Sequence, residues 1–259
     1  LGYAEADPTF DVEGIDTAHK VAILASLCSR KRVDFQKMHV EGITRITAAD
    51  VAGAKEMGCV IRLLGQVELH EDGVDARVHP CLVPKRHPLA GVNGAFNAVF
   101  IDGSTTGPSL LYGKGAGRLP TASAVVADIV DAVRRLHQKS PIVDLSWFGG
   151  QEAAIRPLAL AEGRYYLRFE VADRPGVLGR VATILGAKGV SVASMVQRES
   201  HSGTTSMVLA THVTSEASIQ AAVTAASAGD TILVAAGTYN EENILITKGI
   251  TLQGAGAAN

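Results

Sequence analysis

The nineteen residues GYAEADPTFDVEGIDTAHK, Gly2 to Lys20, set five carboxylates ahead of a single amine: Glu5, Asp7, Asp11, Glu13 and Asp16 precede Lys20. Asp16 and Lys20 are four apart with the acid N-terminal to the base, which on a helix puts them on one face. An exposed pair of that kind contributes only about 0.2–0.5 kcal/mol, and a lone D-x-x-x-K is most often just that. Here the pair follows further carboxylates on a loop shaped by Pro8 and Gly14, and it runs into the apolar VAIL of residues 21–24. A solvated salt bridge does not need that setting. A lysine held by carboxylates in a partly closed cleft can pass a proton to or from an alcohol. Spare carboxylates can hold an ammonium group, so the chemistry that fits is proton transfer on an amino alcohol.

The other chemistry-bearing residues are weaker signals. GKGAG, Gly113 to Gly117, can offer backbone N–H groups to a phosphate, and equally gives a tight lead-in to a helix. The D-R-P-G turn from Asp173 to Gly176 sets a helix N-terminus beside a strand end, where free N–H groups can receive a carboxylate. His79 and His87 flank a proline-rich stretch and are expected to pack in a loop. Cys28, Cys59 and Cys81 are an odd number, far apart and without CxxC spacing, so neither a disulfide framework nor a zinc site is indicated. Reduced, mostly buried thiols in a cytoplasmic protein are the expectation, and no metal constellation is visible.

These residues need elements to hold them. The chain has 259 residues, 47% hydrophobic and 19% charged, which is enough apolar material for one or two real cores. Its net charge of -2 comes without a long block of either sign, which excludes a nucleic-acid or membrane-surface footprint and favours small-molecule partners. No apolar run approaches the roughly 20 residues of a membrane span, and no secretory pattern opens the chain. Periodicity predicts a helix from near Ile15 through VAILASL, strands at Cys59–Leu69 and Asn97–Gly103, and a helix over Thr121–Lys139. That last helix repeats Val125, Val126, Ile129, Val133 and Leu136 at helical spacing, with Thr121 placed to cap it and Arg134, Arg135 and Lys139 at its C-terminal end. Residues 140–163, with Pro141, Gly149, Gly150 and Pro157, read as a linker. From Arg164 the pattern becomes strand, DRPG turn, helix, strand, turn, strand: βαββ, the opening of a ferredoxin-like unit.

The acidic stretch also carries a family resemblance. G-Y-x-E-x-D-P-x-x-D-V-x-G-x-D-x-x-x-K resembles the signature of homoserine dehydrogenase, and the likeness continues through Val40–Gly65, His79–Phe100 and Tyr112–Asp131. Tyr165–Glu199 resembles an ACT domain, a small βαββαβ regulator that binds amino acids. The resemblance implies an α+β chain: residues 1–139 as the catalytic and dimerisation domain, 140–163 as the linker and 164–214 as part of an ACT domain. It implies that Lys20 transfers the proton, that Glu5 and Asp16 bind homoserine, and that Asp11 holds the amino alcohol or a bridging water. Glu13 falls at a variable position. Gly115 and Gly117 become expected contacts for NADP or NAD, and Asp173, Pro175, Gly176 and Val177 for a threonine effector. A homodimer is implied as well.

Two expectations concern the ends. A dinucleotide fold reads as strand, GxGxxG and helix, and no such pattern occurs in the sequence. In the family that domain is N-terminal, with a second active-site lysine and a cation-binding loop. Leu1 enters a motif already under way, so the chain is expected to be a piece of the enzyme that turns over slowly or not at all. The rival reading is a non-catalytic protein that senses homoserine or threonine. At the other end, residues 215–259 resemble the first coil of a pectin-lyase-type parallel β-helix, the mark of a join between unrelated reading frames. One coil cannot form the cleft of a carbohydrate-active enzyme. The tail is nevertheless suited to complete the ACT sheet, with Ser218–Ser227 as helix and Asp230–Ala235 as strand.

Overall fold

The computed structural model describes residues 7–138, 150–197 and 203–225, together with the backbone of four short strands at 232–234, 237–239, 244–246 and 250–252. The first module opens with a one-turn helix, α1 (Thr9–Val12), and a longer one, α2 (Ile15–Ser29). After the short strand β1 (His39–Val40) and helix α3 (Ala48–Glu56) comes a long hairpin, β2 (Cys59–His70) and β3 (Gly73–Pro84). Its strands pair antiparallel over their whole length, from Cys59↔Pro84 to His70↔Gly73, and β1 adds to β3 in parallel.

The hairpin's two faces differ in what they bury. Val74, Ala76 and Val78 of β3 meet Ala18, Val21, Ala22 and Ala25 of α2, with Leu63 and Val67 of β2 packed alongside. The small residues of α2 let the helix lie close to the sheet, and its opposite side carries Asp16 and Lys20 outward together with the exposed Ile23, Leu24 and Leu27. On the other hairpin face run Gln66, Glu68 and His70 of β2 and Asp75, Arg77 and His79 of β3, as the period of two requires.

The structure corrects the expectation of a loop around His79, which lies inside β3. Pro80 and Pro84 read as loop formers, but β1 ends opposite Val78 and a later strand joins only at Cys81 and Leu82. Pro80 therefore falls in a gap along that edge, where its missing N–H breaks no ladder.

Strands β4 (Phe96–Gly103) and β5 (Gly107–Lys114) form a separate two-stranded sheet, followed by helix α4 (Arg118–Gln138). α4 starts three residues before the expected Thr121, with Pro120 in its first turn, where a missing N–H is harmless. Its apolar positions recur as predicted, yet Val125, Val126, Ile129, Val133 and Leu136 all lie exposed among the described residues.

Of the linker, residues 150–163 are described, and 151–156 run docked along the first module. After the short strand β6 (Glu162–Gly163) comes the second module: β7 (Tyr165–Ala172), α5 (Val177–Ala187), β8 (Val192–Gln197), β9 (Thr204–Thr211), β10 (Thr214–Ser215) and α6 (Glu216–Thr224). Upstream of it, backbone bonds from Ala153 to Arg32 and between Val74 and residues 154 and 156 stitch the segment along the first module. Arg32 reaches Glu152 at 2.8 Å, and Lys37 pairs with the same carboxylate.

β9 lies between β7 and β8, antiparallel to both. Alternate residues of β7, Tyr165, Leu167, Phe169 and Val171, pack under α5 and α6 with Val181, Leu185, Met207, Leu209 and Ile219. The intervening residues face the first module: Tyr166, with Val208 of β9, joins Ala54 of α3, Cys59 and Leu82 in one core. Beside it Arg168 Nε donates to Asp50 Oδ1 of α3 at 2.6 Å, with the side chains 5% and 2% exposed.

In the tail, β11 (Ile232–Val234) pairs with β14 (Ile250–Leu252), while β12 (Gly237–Tyr239) pairs with both β7 and β13 (Ile244–Ile246). The strand beside β7 is thus Gly237–Tyr239 and not the expected Asp230–Ala235. β13 in turn reaches β3, giving the order β1-β3-β13-β12-β7-β9-β8.

Candidate active site

The acidic segment is built as a folded lead-in to α2. Asp7 accepts hydrogen bonds from Thr9 N at 3.0 Å and Thr9 Oγ1 at 2.6 Å, which start α1 and hold the exposed Asp7 carboxyl below its ordinary range. Asp7 is therefore a structural acid. Gly14, with φ of +77°, makes the left-handed turn between α1 and α2 that an L side chain resists. One turn into α2, Lys20 Nζ lies 2.5 Å from Asp16 Oδ2, with side chains 59% and 44% exposed. Asp11 stands on α1, just upstream of the turn, and Glu5 lies outside the described residues.

Two supports were invisible to spacing rules. His19 stacks with Phe10 of α1, centroids 6.2 Å apart, and tilts against Phe35 at 4.3 Å, so an aromatic string beside Lys20 fixes α1 on α2. The second support is the EGITRIT segment, residues 41–47. Ile43 N donates to Val12 O at 2.8 Å, and Glu41 N donates to Val78 O at 2.7 Å, which clamps the acidic turn to the sheet. Glu41 is buried and Arg45 reaches it at 3.2 Å.

At Gly42 a methyl group would stand 2.3 Å from Val12 O and 2.5 Å from Glu13 Cα, both backbone atoms that cannot swing aside. Gly42→Ala is expected to destabilise by about 1–3 kcal/mol, in the range of overpacking. It should also displace the turn between α1 and α2 that leads to Asp16 and Lys20. Thermal denaturation checks the first effect and amide hydrogen exchange along α2 the second.

The glycine loop sits at the junction of β5 and α4. Gly115 N donates to Ala95 O at 3.0 Å, so that N–H is not open to a phosphate, while Gly117, at the start of α4, accepts from Thr121 N. Among the described residues no strand, glycine turn and helix form a dinucleotide-binding unit. These residues alone do not fit a whole nicotinamide dinucleotide.

A polar row runs along the hairpin face away from α2. His79, fully buried, has Nε2 3.1 Å from Gln66 Oε1 and Nδ1 3.1 Å from Pro80 O, with Cys81 Sγ 3.4 Å from Nδ1. Farther along, Glu68, His70 and Asp75 bring three ligand-type atoms within 4.8 Å of one another. This group is assembled by register, since Glu68 faces Asp75 across the ladder. The Arg77 guanidinium already ion-pairs with Asp75 and lies 3.7 Å from Glu68.

Burial, reinforced by the Arg77 charge, pushes the His79 imidazole well below its ordinary value of 6.5. The neutral ring suits the fold, whereas the unfolded chain takes up the proton below about pH 6.5. Its stabilisation is thus fully present above that pH and is lost as pH falls toward the folded value, by up to about 1.4 kcal/mol per pH unit. Urea denaturation at about pH 7.5 and about pH 5.5 should show the loss, and His79→Gln should reduce it.

In the second module Gly176 caps α5, and a cleft of about 400 Å³ opens beside it. Asp173, Arg174, Pro175, Val177 and, from β8, Gln197 line it, so the structure brings the four expected effector residues to one cleft. Val171 and Met207 close its floor from the ACT-type core.

Comparison with known proteins fits this geometry. A family model described as homoserine dehydrogenase matches residues 1–130, and one described as ACT domain matches residues 165–228. The chain belongs to the homoserine dehydrogenase family. Homoserine dehydrogenase from Pseudomonas aeruginosa is 44% identical over 234 residues, covering 88% of this chain and 54% of that protein. The one from Mycobacterium tuberculosis is 46% identical over 202 residues, covering 76% of this chain and 45% of its own. A crystal structure of a homoserine dehydrogenase from Thiobacillus denitrificans superposes with a TM-score of 0.78 at 44% identity, over 86% of this chain and 52% of that one. The chain spans about half the length of the curated relatives it matches. No helix of the described residues is long and apolar enough to cross a membrane.

Proposed function

We propose that the chain carries the substrate-binding and proton-transfer part of a homoserine dehydrogenase, which interconverts L-homoserine and L-aspartate 4-semialdehyde with NADP or NAD. The observation that supports this most is the Asp16–Lys20 pair at 2.5 Å, on a helix clamped by EGITRIT and inside the segment the family model matches. In the reducing direction the Lys20 ammonium donates its proton to the aldehyde oxygen. In oxidation the neutral amine takes it back from the hydroxyl. Hydride chemistry would be supplied by a nicotinamide that residues beyond those described hold. Asp16, which also holds Nζ, binds homoserine together with Glu5, while Asp11 helps to hold the amino alcohol or a bridging water. Gly115, whose N–H is already engaged, and Gly117 would be the contacts for NADP or NAD.

The second module is an amino-acid sensor in this reading. The free N–H groups at the start of α5 and the Arg174 side chain suit a carboxylate, and Asp173 an ammonium group, with threonine as the effector. ACT units pair, so the working form is a homodimer, and the compartment is the cytoplasm.

The test is NAD(P)-dependent oxidation of L-homoserine by the purified chain and by Lys20→Ala, with calorimetric titration of L-homoserine in parallel. Turnover that disappears in the variant supports the assignment. Turnover that survives in Lys20→Ala overturns it. Binding of homoserine or threonine without nicotinamide, unaffected by Lys20→Ala and accompanied by no turnover, would favour the non-catalytic sensor instead.

A further inference from the structure

In its first half, the edge of β3 opposite β2 is held by two segments with a gap between them. β1 pairs there at Arg77 and Val78, and the linker bridges to Val74 through Ile155. Glu41 N donates to Val78 O at 2.7 Å and Arg156 N to Val74 O at 3.0 Å, so main chain fixes both neighbours. Neither pairs with Asp75 or Ala76, and a cleft of about 210 Å³ opens beside those two residues. Lys37 and His39 reach it from the β1 side, and Ile155 and Arg156 from the linker. It shares no residue with the Asp16–Lys20 helix or with the cleft at the start of α5.

The charged lining of this gap is mostly cationic: Lys37, His39, Arg77 and Arg156 against one acid, Asp75. His39 stands opposite Arg77 in the ladder, which puts both side chains on one face. Arg77 is buried and committed, since Nη1 ion-pairs with Asp75 and Nε donates to Gln66 Oε1 at 3.3 Å. It thereby neutralises the one acid that would repel an anion. The other three keep donors in reserve. Arg156 Nε donates to Asp72 at 3.2 Å, while its two Nη groups make no hydrogen bond among the described residues. Lys37 Nζ holds Glu152 with one of its three donors. His39 Nε2 is shut off from solvent and makes no hydrogen bond to the described residues, with Glu41 Oε2 3.7 Å away. A shielded polar atom without a partner is costly, and an ion that accepts from it removes that cost. Asp72 and Glu152 stand outside the lining and are exposed, so solvent and salt weaken their hold on Arg156 and Lys37.

We propose that this cleft binds a phosphate dianion, free or carried as a monoester by a small molecule. A guanidinium fork beside an ammonium and an imidazole is a donor set that suits phosphate oxygens. Arg156 supplies the forked contact through its Nη groups, and His39 and Lys37 supply the flanking donors. Arg77 is a positioning residue, since its bonds to Asp75 and Gln66 set the β3 side of the cleft.

The experiment is calorimetric titration of the whole chain with inorganic phosphate and with O-phospho-L-serine, at constant ionic strength. The wild type should bind at one site. Arg156→Gln and His39→Gln should each weaken binding by about tenfold or more, the usual loss with a charge-assisted hydrogen bond. Arg156→Lys keeps the charge without the fork and should fall between. Arg135→Gln, which removes an exposed cation on α4 outside the cleft, should bind as the wild type does. Melting without phosphate shows that each variant folds, and added phosphate should raise the melting temperature of the wild type but not of Arg156→Gln. Tighter binding of phosphoserine than of phosphate assigns the cleft to a phosphomonoester, and equal or weaker binding assigns it to the free anion. No saturable binding of either at millimolar concentration overturns the site. So does binding that Arg156→Gln and His39→Gln leave unchanged, or that Arg135→Gln weakens equally.

Discussion

If the proposed function holds, Lys20→Ala is expected to lower whatever homoserine turnover the chain supports by about two to four orders of magnitude, the usual loss when a positioned proton-transfer group is removed. The same change should leave stability within about 0.5 kcal/mol, because an exposed i,i+4 pair contributes no more than that. The Asp16–Lys20 pair is such a pair by geometry, with both side chains open to solvent. A large kinetic effect beside a negligible effect on denaturation therefore separates chemistry from scaffolding. Lys20→Arg sharpens the test: guanidinium keeps the charge but does not release its proton in the working pH range, so it should rescue stability and not turnover. If Lys20→Arg turned over as well as the wild type, Lys20 would be an electrostatic anchor and the proton would move elsewhere.

Much of this arrangement is legible in the sequence, for reasons that differ by element. The pairing of Asp16 with Lys20 follows from helical spacing alone, and β7 follows from YYLRFEVA because alternation there is regular over the whole strand. The strand β3 is not legible, because Pro80 and Pro84 carry a loop signal that only the neighbouring strands' limits cancel. The Glu68–His70–Asp75 group depends on hairpin register, and register is a property of two segments together. EGITRIT ends in Thr47, which opens the T-x-x-D of a capping box with Asp50, and spacing could have flagged that box. Its grip on Val12 has no local signature, since the bond joins backbone atoms thirty-one positions apart, from Ile43 to Val12. The pairing of a tail strand with β7 is likewise a tertiary choice, since the local pattern pointed to residues 230–235 while 237–239 form the pair.

Arg168→Met is expected to destabilise the chain by about 3–5 kcal/mol, because it leaves the Asp50 carboxylate buried with its cationic partner removed. Asp50 is only 2% exposed and sits where α3 meets β7, so water cannot replace the guanidinium without parting the two modules. Against a total stability of about 5–15 kcal/mol, such a loss is large enough to split denaturation into two steps, one for each module. The pair should nevertheless add little net stability, since desolvation of both charges offsets most of their attraction. Asp50→Asn/Arg168→Met should accordingly recover much of what the single change loses, though Thr47 would keep a weaker cap worth about 1 kcal/mol less. Urea denaturation of the wild type, both single variants and the double variant closes the cycle. A cost below about 1 kcal/mol for Arg168→Met would match a surface pair. That outcome would mean that the ACT-type sheet does not rest on α3 in solution through the Arg168–Asp50 contact.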